Sequence, residues 1–79
     1  MATFQEAISS AVRTQTARRG LQNKEVAKSM GLSRDAFWRR LSNRVPWDSD
    51  DFDKLAHSLG LATSWELLDL ARQEQKLAA

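Results

Sequence analysis

The stretch from Leu21 to Leu41 limits the folds open to this chain more than any other. Two short amphipathic segments are separated there by only three residues, Gly31-Leu32-Ser33. Val26, Ala27 and Met30 line the first segment, and Phe37 and Leu41 line the second, at the 3- and 4-residue spacings of a helix. Gly31 suits the left-handed position that ends a helix, and Ser33 suits the N-cap of the next. So short a turn sets two helices at a steep angle instead of side by side. Ala27 falls where they cross, and its small side chain permits close approach. Leu32 and Phe37 plug the angle. The second helix then stands out as a ridge, with Asp35, Trp38, Arg39 and Ser42 on the side away from Phe37 and Leu41.

The rest of the chain also reads as helix. Thr3 and Glu6 form a capping box ahead of an apolar face made by Phe4, Ala7, Ile8, Ala11 and Val12, and Gly20 ends that helix. Phe4, Ile8, Val12, Phe37, Phe52 and Leu55 are expected in the core. Pro46 disfavours helix at Val45, so Asn43 to Trp47 is a loop. Asp48 is the next N-cap, with Trp47 and Phe52 at the two positions of a hydrophobic staple. The fourth helix buries Phe52, Leu55, Ala56 and Leu59 and stops at Gly60. Thr63 and Glu66 cap a fifth helix over about 64–75, with the tail from Lys76 to Ala79 frayed. No repeat, low-complexity run or strand-like alternation is present. The expectation is one domain over residues 1–79, all-α and compact, with five helices and a helix-turn-helix at about 22–42.

Composition removes several functions. The chain has no cysteine and a single histidine, His57, so disulfide frameworks, thiolate chemistry and Cys- or His-ligated metal sites are not expected. No acid/base pair, nucleophile with a base, or phosphate loop is present, so neither an enzyme nor a cofactor is expected. No effector pocket is visible. No run approaches the roughly 18 apolar residues of a membrane span. Met1 to Ser10 carry Glu6 and no basic cluster, unlike a signal peptide, and the expected compartment is the cytoplasm. The net charge of +2 hides a strong polarity. Residues 13–44 carry nine basic side chains against two acidic ones, whereas residues 45–79 carry three against seven. A basic middle of this kind suits a polyanion.

The run LQNKEVAKSMGLSRDAFWRRLSN resembles the helix-turn-helix of the lambda-repressor/Cro-like (XRE) family. PWDSDDFDKLAHSLGL downstream resembles that family's fourth helix. The likeness spans Val12 to Leu61 and rests on the spacing of Ala27, Gly31, Ser33 and Phe37 with Leu55-Ala56 and Leu59-Gly60. It implies a lambda-repressor-like fold whose third helix enters the major groove of duplex DNA, a channel about 12 Å wide. It further implies that Arg34, Asp35, Trp38 and Arg39 meet base edges or groove walls. Arginine forks onto guanine, Asp35 would accept from cytosine N4, and Trp38 would pack on a thymine methyl or a sugar. Gln22, Asn23, Lys24, Ser33, Asn43 and Arg44 are the candidate phosphate contacts. The chain departs from the family at Arg40, where an aliphatic residue is usual. Either Arg40 snorkels toward phosphate or the helix ends differently.

Other readings stand beside these. Asp35 and Arg39, spaced i, i+4, either pair on the surface or read bases, and Asp35 does both if it orients Arg39. Trp38 is either a groove contact or half core, and Trp47 is read as structural. Arg18 and Arg19 favour the C-terminal dipole of the first helix, and His57 is solvated. In the fifth helix, Trp65, Leu67, Leu68, Leu70, Ala71 and Leu77 spread well beyond the stripe of about 100° that a monomer buries. Trp65, Leu67, Leu70 and Leu77 are therefore the candidate contacts of a homodimer or partner, unless the helix lies in a deep groove of its own domain. The function expected is a sequence-specific, double-stranded-DNA-binding transcriptional regulator, a phage or prophage-type repressor occupying an operator. The alternatives are an antitoxin that also binds its operator, and a non-specific architectural DNA binder.

Overall fold

A computed structural model describes residues 2–78, and helices form where the caps and glycines place them. Helix α1 spans Phe4–Arg18, α2 Asn23–Ser29, α3 Arg34–Leu41, α4 Ser49–Ser58 and α5 Ser64–Ala78. No strand occurs among the described residues. Thr3 caps α1 through the reciprocal box with Glu6: the Glu6 amide donates to Thr3 Oγ1 at 3.1 Å, and the Thr3 amide donates to Glu6 Oε1 at 2.9 Å. Asp48 and Asp51 build the same box at α4. Gly31 sits at φ +74° just beyond α2 and turns the chain back toward the core, as the three-residue turn requires.

The core gathers one face from every helix. Ala7, Ile8, Ala11 and Val12 of α1 meet Val26 and Ala27 of α2, Phe37 and Leu41 of α3, Leu55 of α4, and Leu67 and Ala71 of α5. Helix α5 lies along both α1 and α4, while α2 touches α3 and α4. The molecule measures 32 × 27 × 23 Å. Among the described residues, no helix is long and apolar enough to cross a membrane.

Four expectations need correction. Helix α5 does not fray at Lys76 but continues to Ala78. Its last turns are tied to α1: Ser10 and Thr14 donate to the two Glu74 carboxylate oxygens at 3.0 and 3.1 Å, and Gln75 donates to the Ala2 carbonyl. Leu67 is fully buried and presents no free surface, whereas Leu70 is half-buried, with part of its side chain packed against the core. Because α5 is covered from two sides, by α1 and α4, it buries a wider stripe than a helix packed on one neighbour. Trp65 and Leu77 do remain exposed. Phe4 is not a core residue. It lies at the rim, edge-on to half-buried Phe52 at 6.1 Å. Trp47 turns its ring to Phe37 at 5.9 Å, so the two staple positions take different aromatic partners.

Candidate nucleic-acid interface

Helix α3 is a short ridge anchored by two side chains. Phe37 and Leu41 are 2% and 1% exposed, and the opposite face carries Arg34, Asp35, Trp38 and Arg39, all exposed. Ser33 starts the helix by accepting the Ala36 amide at 3.1 Å. That bond leaves the Ser33 hydroxyl proton for another acceptor. The Asp35 carboxylate holds the Arg39 guanidinium at 2.7 Å across one turn. Both partners of this pair are more than half exposed, so the pair adds only about 0.3–0.5 kcal/mol to stability. Its main effect is on orientation, because it keeps one edge of the Arg39 fork aligned with the helix. Among the described residues, Arg34 has no ion-pair partner.

The flanking segments converge on the same side. Gln22, Asn23 and Lys24 are exposed at the start of α2, where the Gln22 amide donates to Glu25 Oε1 at 2.9 Å. Asn23 and Lys24 join Arg34, Asp35, Phe37 and Trp38 in lining a surface hollow of about 600 Å³ between α2 and α3. Beyond α3, Asn43 adopts φ +66°, a left-handed turn that asparagine tolerates, and exposed Arg44 follows it. The Arg44 amide returns to the Arg39 carbonyl at 2.8 Å, so the loop stays close to the ridge.

A buried polar network fixes this loop. Ser9 of α1 is closed to solvent, and its hydroxyl donates to Asn43 Oδ1 at 2.7 Å, with the Arg40 carbonyl a second acceptor at 3.2 Å. The same oxygen accepts the Trp47 indole N–H at 3.0 Å. Gln5 brackets the Trp47 backbone, accepting its amide at 2.6 Å and donating to its carbonyl at 3.0 Å. With its carbonyl oxygen engaged, Asn43 keeps its amide N–H groups for an outside acceptor. Arg13 donates to the Leu41 carbonyl at 2.9 Å, placing a cation at the C-terminal end of α3.

Helix α3 runs to Leu41. Arg40 turns back toward α4 instead of snorkelling outward. Its Nε pairs with Asp51 Oδ2 at 3.1 Å, and Nη1 donates to the Ala36 carbonyl at 3.1 Å. The side chains are 19% and 5% exposed. The pair bolts the last turn of α3 to the first turn of α4. Sequence reading missed Asp51, Ser9, Gln5 and Arg13 in these roles. The available signal was Arg40 itself, since a cation three residues after buried Phe37 needs an acidic partner on the element behind it.

No family model matches the chain, and no curated protein matches it in sequence. Two crystal structures of the clp gene regulator ClgR from Corynebacterium glutamicum share the fold. One aligns with a TM-score of 0.87 at 22% identity, covering 98% of this chain and 81% of that chain. The other aligns with a TM-score of 0.82 at 22% identity, covering 92% and 94%. At this identity the likeness establishes architecture: five helices, with α2 and α3 as a helix-turn-helix.

Proposed function

We propose that this chain is a sequence-specific, double-stranded-DNA-binding transcriptional regulator that acts in the cytoplasm as a repressor of the phage or prophage type. The observation carrying the reading is the outward face of α3, a ridge bearing Arg34, Asp35, Trp38 and Arg39 within the basic stretch of the chain. The ridge suits the major groove, and the forks of Arg34 and Arg39 suit guanine O6 and N7. Gln22, Asn23, Lys24, Ser33, Asn43 and Arg44 flank it as phosphate contacts, which set register without reading sequence. The shared fold with ClgR, a gene regulator, supports the same reading. Trp65 and Leu77 on α5 serve a second copy of the chain, giving a dimer that reads two half-sites.

Selection of bound fragments from a random duplex pool at about 150 mM salt tests this directly. The expected result is an enriched motif, repeated with two-fold symmetry about 10 base pairs apart. A single asymmetric motif would retain sequence reading and remove the dimer. Equal recovery of all sequences would overturn specific regulation in favour of an architectural role.

A further inference from the structure

We infer that Ser9, buried in α1, is a positioning residue that turns the side-chain N–H2 of Asn43 outward, where it donates to a phosphate of the DNA backbone. The inference rests on the DNA-binding reading above. It adds a residue 34 positions before Asn43, outside the helix-turn-helix, that decides what the loop after α3 offers to a ligand.

An asparagine amide has an acceptor at one end and donors at the other, and a half-turn about χ2 exchanges them. Only the N–H2 end suits an anion. Asn43 is exposed and its backbone is set at φ +66°, so the direction of its amide depends on a partner beneath it. That partner is the hydroxyl of Ser9, whose side chain is closed to solvent. The hydroxyl has one proton to give. The Trp47 indole is a donor only, and it fills an acceptor site on Ser9 Oγ at 3.0 Å. Gln5 on the Trp47 backbone and the Phe37 ring against the indole hold that donor in place. Two oxygens then compete for the Ser9 proton. Asn43 Oδ1 lies at 2.7 Å, the usual length of an O–H···O bond, and the Arg40 carbonyl lies at 3.2 Å, beyond that range. The Arg40 carbonyl is also engaged already by the Asn43 backbone amide at 3.0 Å. The proton therefore goes to Asn43 Oδ1, and the N–H2 faces out. Among the described residues that N–H2 has no acceptor, and the next residue, Arg44, is exposed and has no ion-pair partner. Amide donors beside a cation suit a phosphate.

The test titrates the protein onto the duplex enriched by selection, and onto copies in which one phosphate at a time is a neutral methylphosphonate. The wild-type chain should lose about tenfold in affinity at the phosphate met by Asn43, as for a hydrogen bond to a charged group. Asn43→Gly, which keeps the left-handed turn, should become insensitive at that one phosphate. Ser9→Ala should show the same signature and keep the wild-type response at every other phosphate. A merely structural Ser9 would lower affinity without moving the pattern. Ser9→Cys, which keeps a weak donor, should restore part of the response, and it replaces Ser9→Ala if alanine disturbs the circular dichroism. In the protein alone, the heteronuclear NOE of the Asn43 side-chain N–H2 should be rigid in the wild type and mobile in Ser9→Ala. If Ser9→Ala keeps the wild-type pattern, or if Asn43 is equally mobile with and without the hydroxyl, the inference is overturned. It also falls if Asn43→Gly leaves every phosphate response whole. If no duplex is enriched, the sequence-specific reading fails as a separate result, and the NOE comparison still decides whether Ser9 holds Asn43.

Discussion

Asp51 shares one carboxylate oxygen between Arg40 Nε at 3.1 Å and the Asp48 amide at 3.0 Å. Removing it strands two donors, one of them a guanidinium with four-fifths of its side-chain surface buried. Asp51→Ala should therefore destabilise the fold by about 2–3 kcal/mol, somewhat below the loss for a fully buried pair. Urea unfolding followed by tryptophan fluorescence measures this. The double variant Arg40→Met/Asp51→Ala should lose less than the two single losses combined, because a methionine side chain in place of the guanidinium demands no partner. At the same scale, Arg39 is aimed by Asp35 and not buried, so its substitution tests recognition rather than folding. Arg39→Ala should cost about 1–3 kcal/mol at one base position and relax preference there. Competition binding against single-base variants checks it. A loss equal for every sequence would make Arg39 a phosphate contact.

Among the elements, α1 and α3 show opposite balances of local and tertiary support. Helix α1 starts from a self-contained box in which the Glu6 carboxyl is held below its ordinary value, chiefly by the Thr3 backbone N–H and then by the Thr3 side chain. The sign follows from linkage. A lowered folded-state value means the cap contributes fully above the unfolded pKa of glutamate and is lost as pH falls through the folded value. An NMR titration of Glu6 and the Thr3 amide should show both moving together below the ordinary glutamate range. Glu6→Gln should flatten the Thr3 response. Helix α3 has only eight residues, too few for stability in isolation. Arg13 on the Leu41 carbonyl and Ser9 beneath the Arg40 carbonyl hold it from α1, and the Arg40–Asp51 pair holds it from α4. The ridge proposed to read DNA is thus rigid at its base while its outward side chains stay in water.

Over the whole molecule, charge is segregated: the basic stretch includes the α2–α3 face, and the acidic C-terminal third forms α4 and α5. This polarity gives a polyanion one favoured side of approach. Arg44→Ala should weaken binding to all duplexes alike and reduce the slope of log affinity against log salt by about one unit. Anisotropy titrations at several salt concentrations measure the slope. An unchanged slope would remove Arg44 from the interface.

The beginnings and ends of most elements were legible from neighbouring residues alone. Thr3, Ser33 and Asp48 cap helices through partners three residues away, and Gly31 takes the left-handed turn that its place after Met30 suggested. Asp35, Trp38 and Arg39 followed from the angular positions of Phe37 and Leu41 on one short helix, whereas Arg34 was implied by the family resemblance alone. The misread features all depend on a second element. Arg40 needed α4, Leu67 needed α1 and α4 closing over it, and the end of α5 needed Ser10, Thr14 and Ala2. The physical difference is reach. Caps and helical periodicity act within about four residues, whereas the bonds that hold the ridge and finish α5 join residues 11 to 73 positions apart, from Arg40–Asp51 to Ala2–Gln75. Such partners are chosen only when the folded chain brings them together.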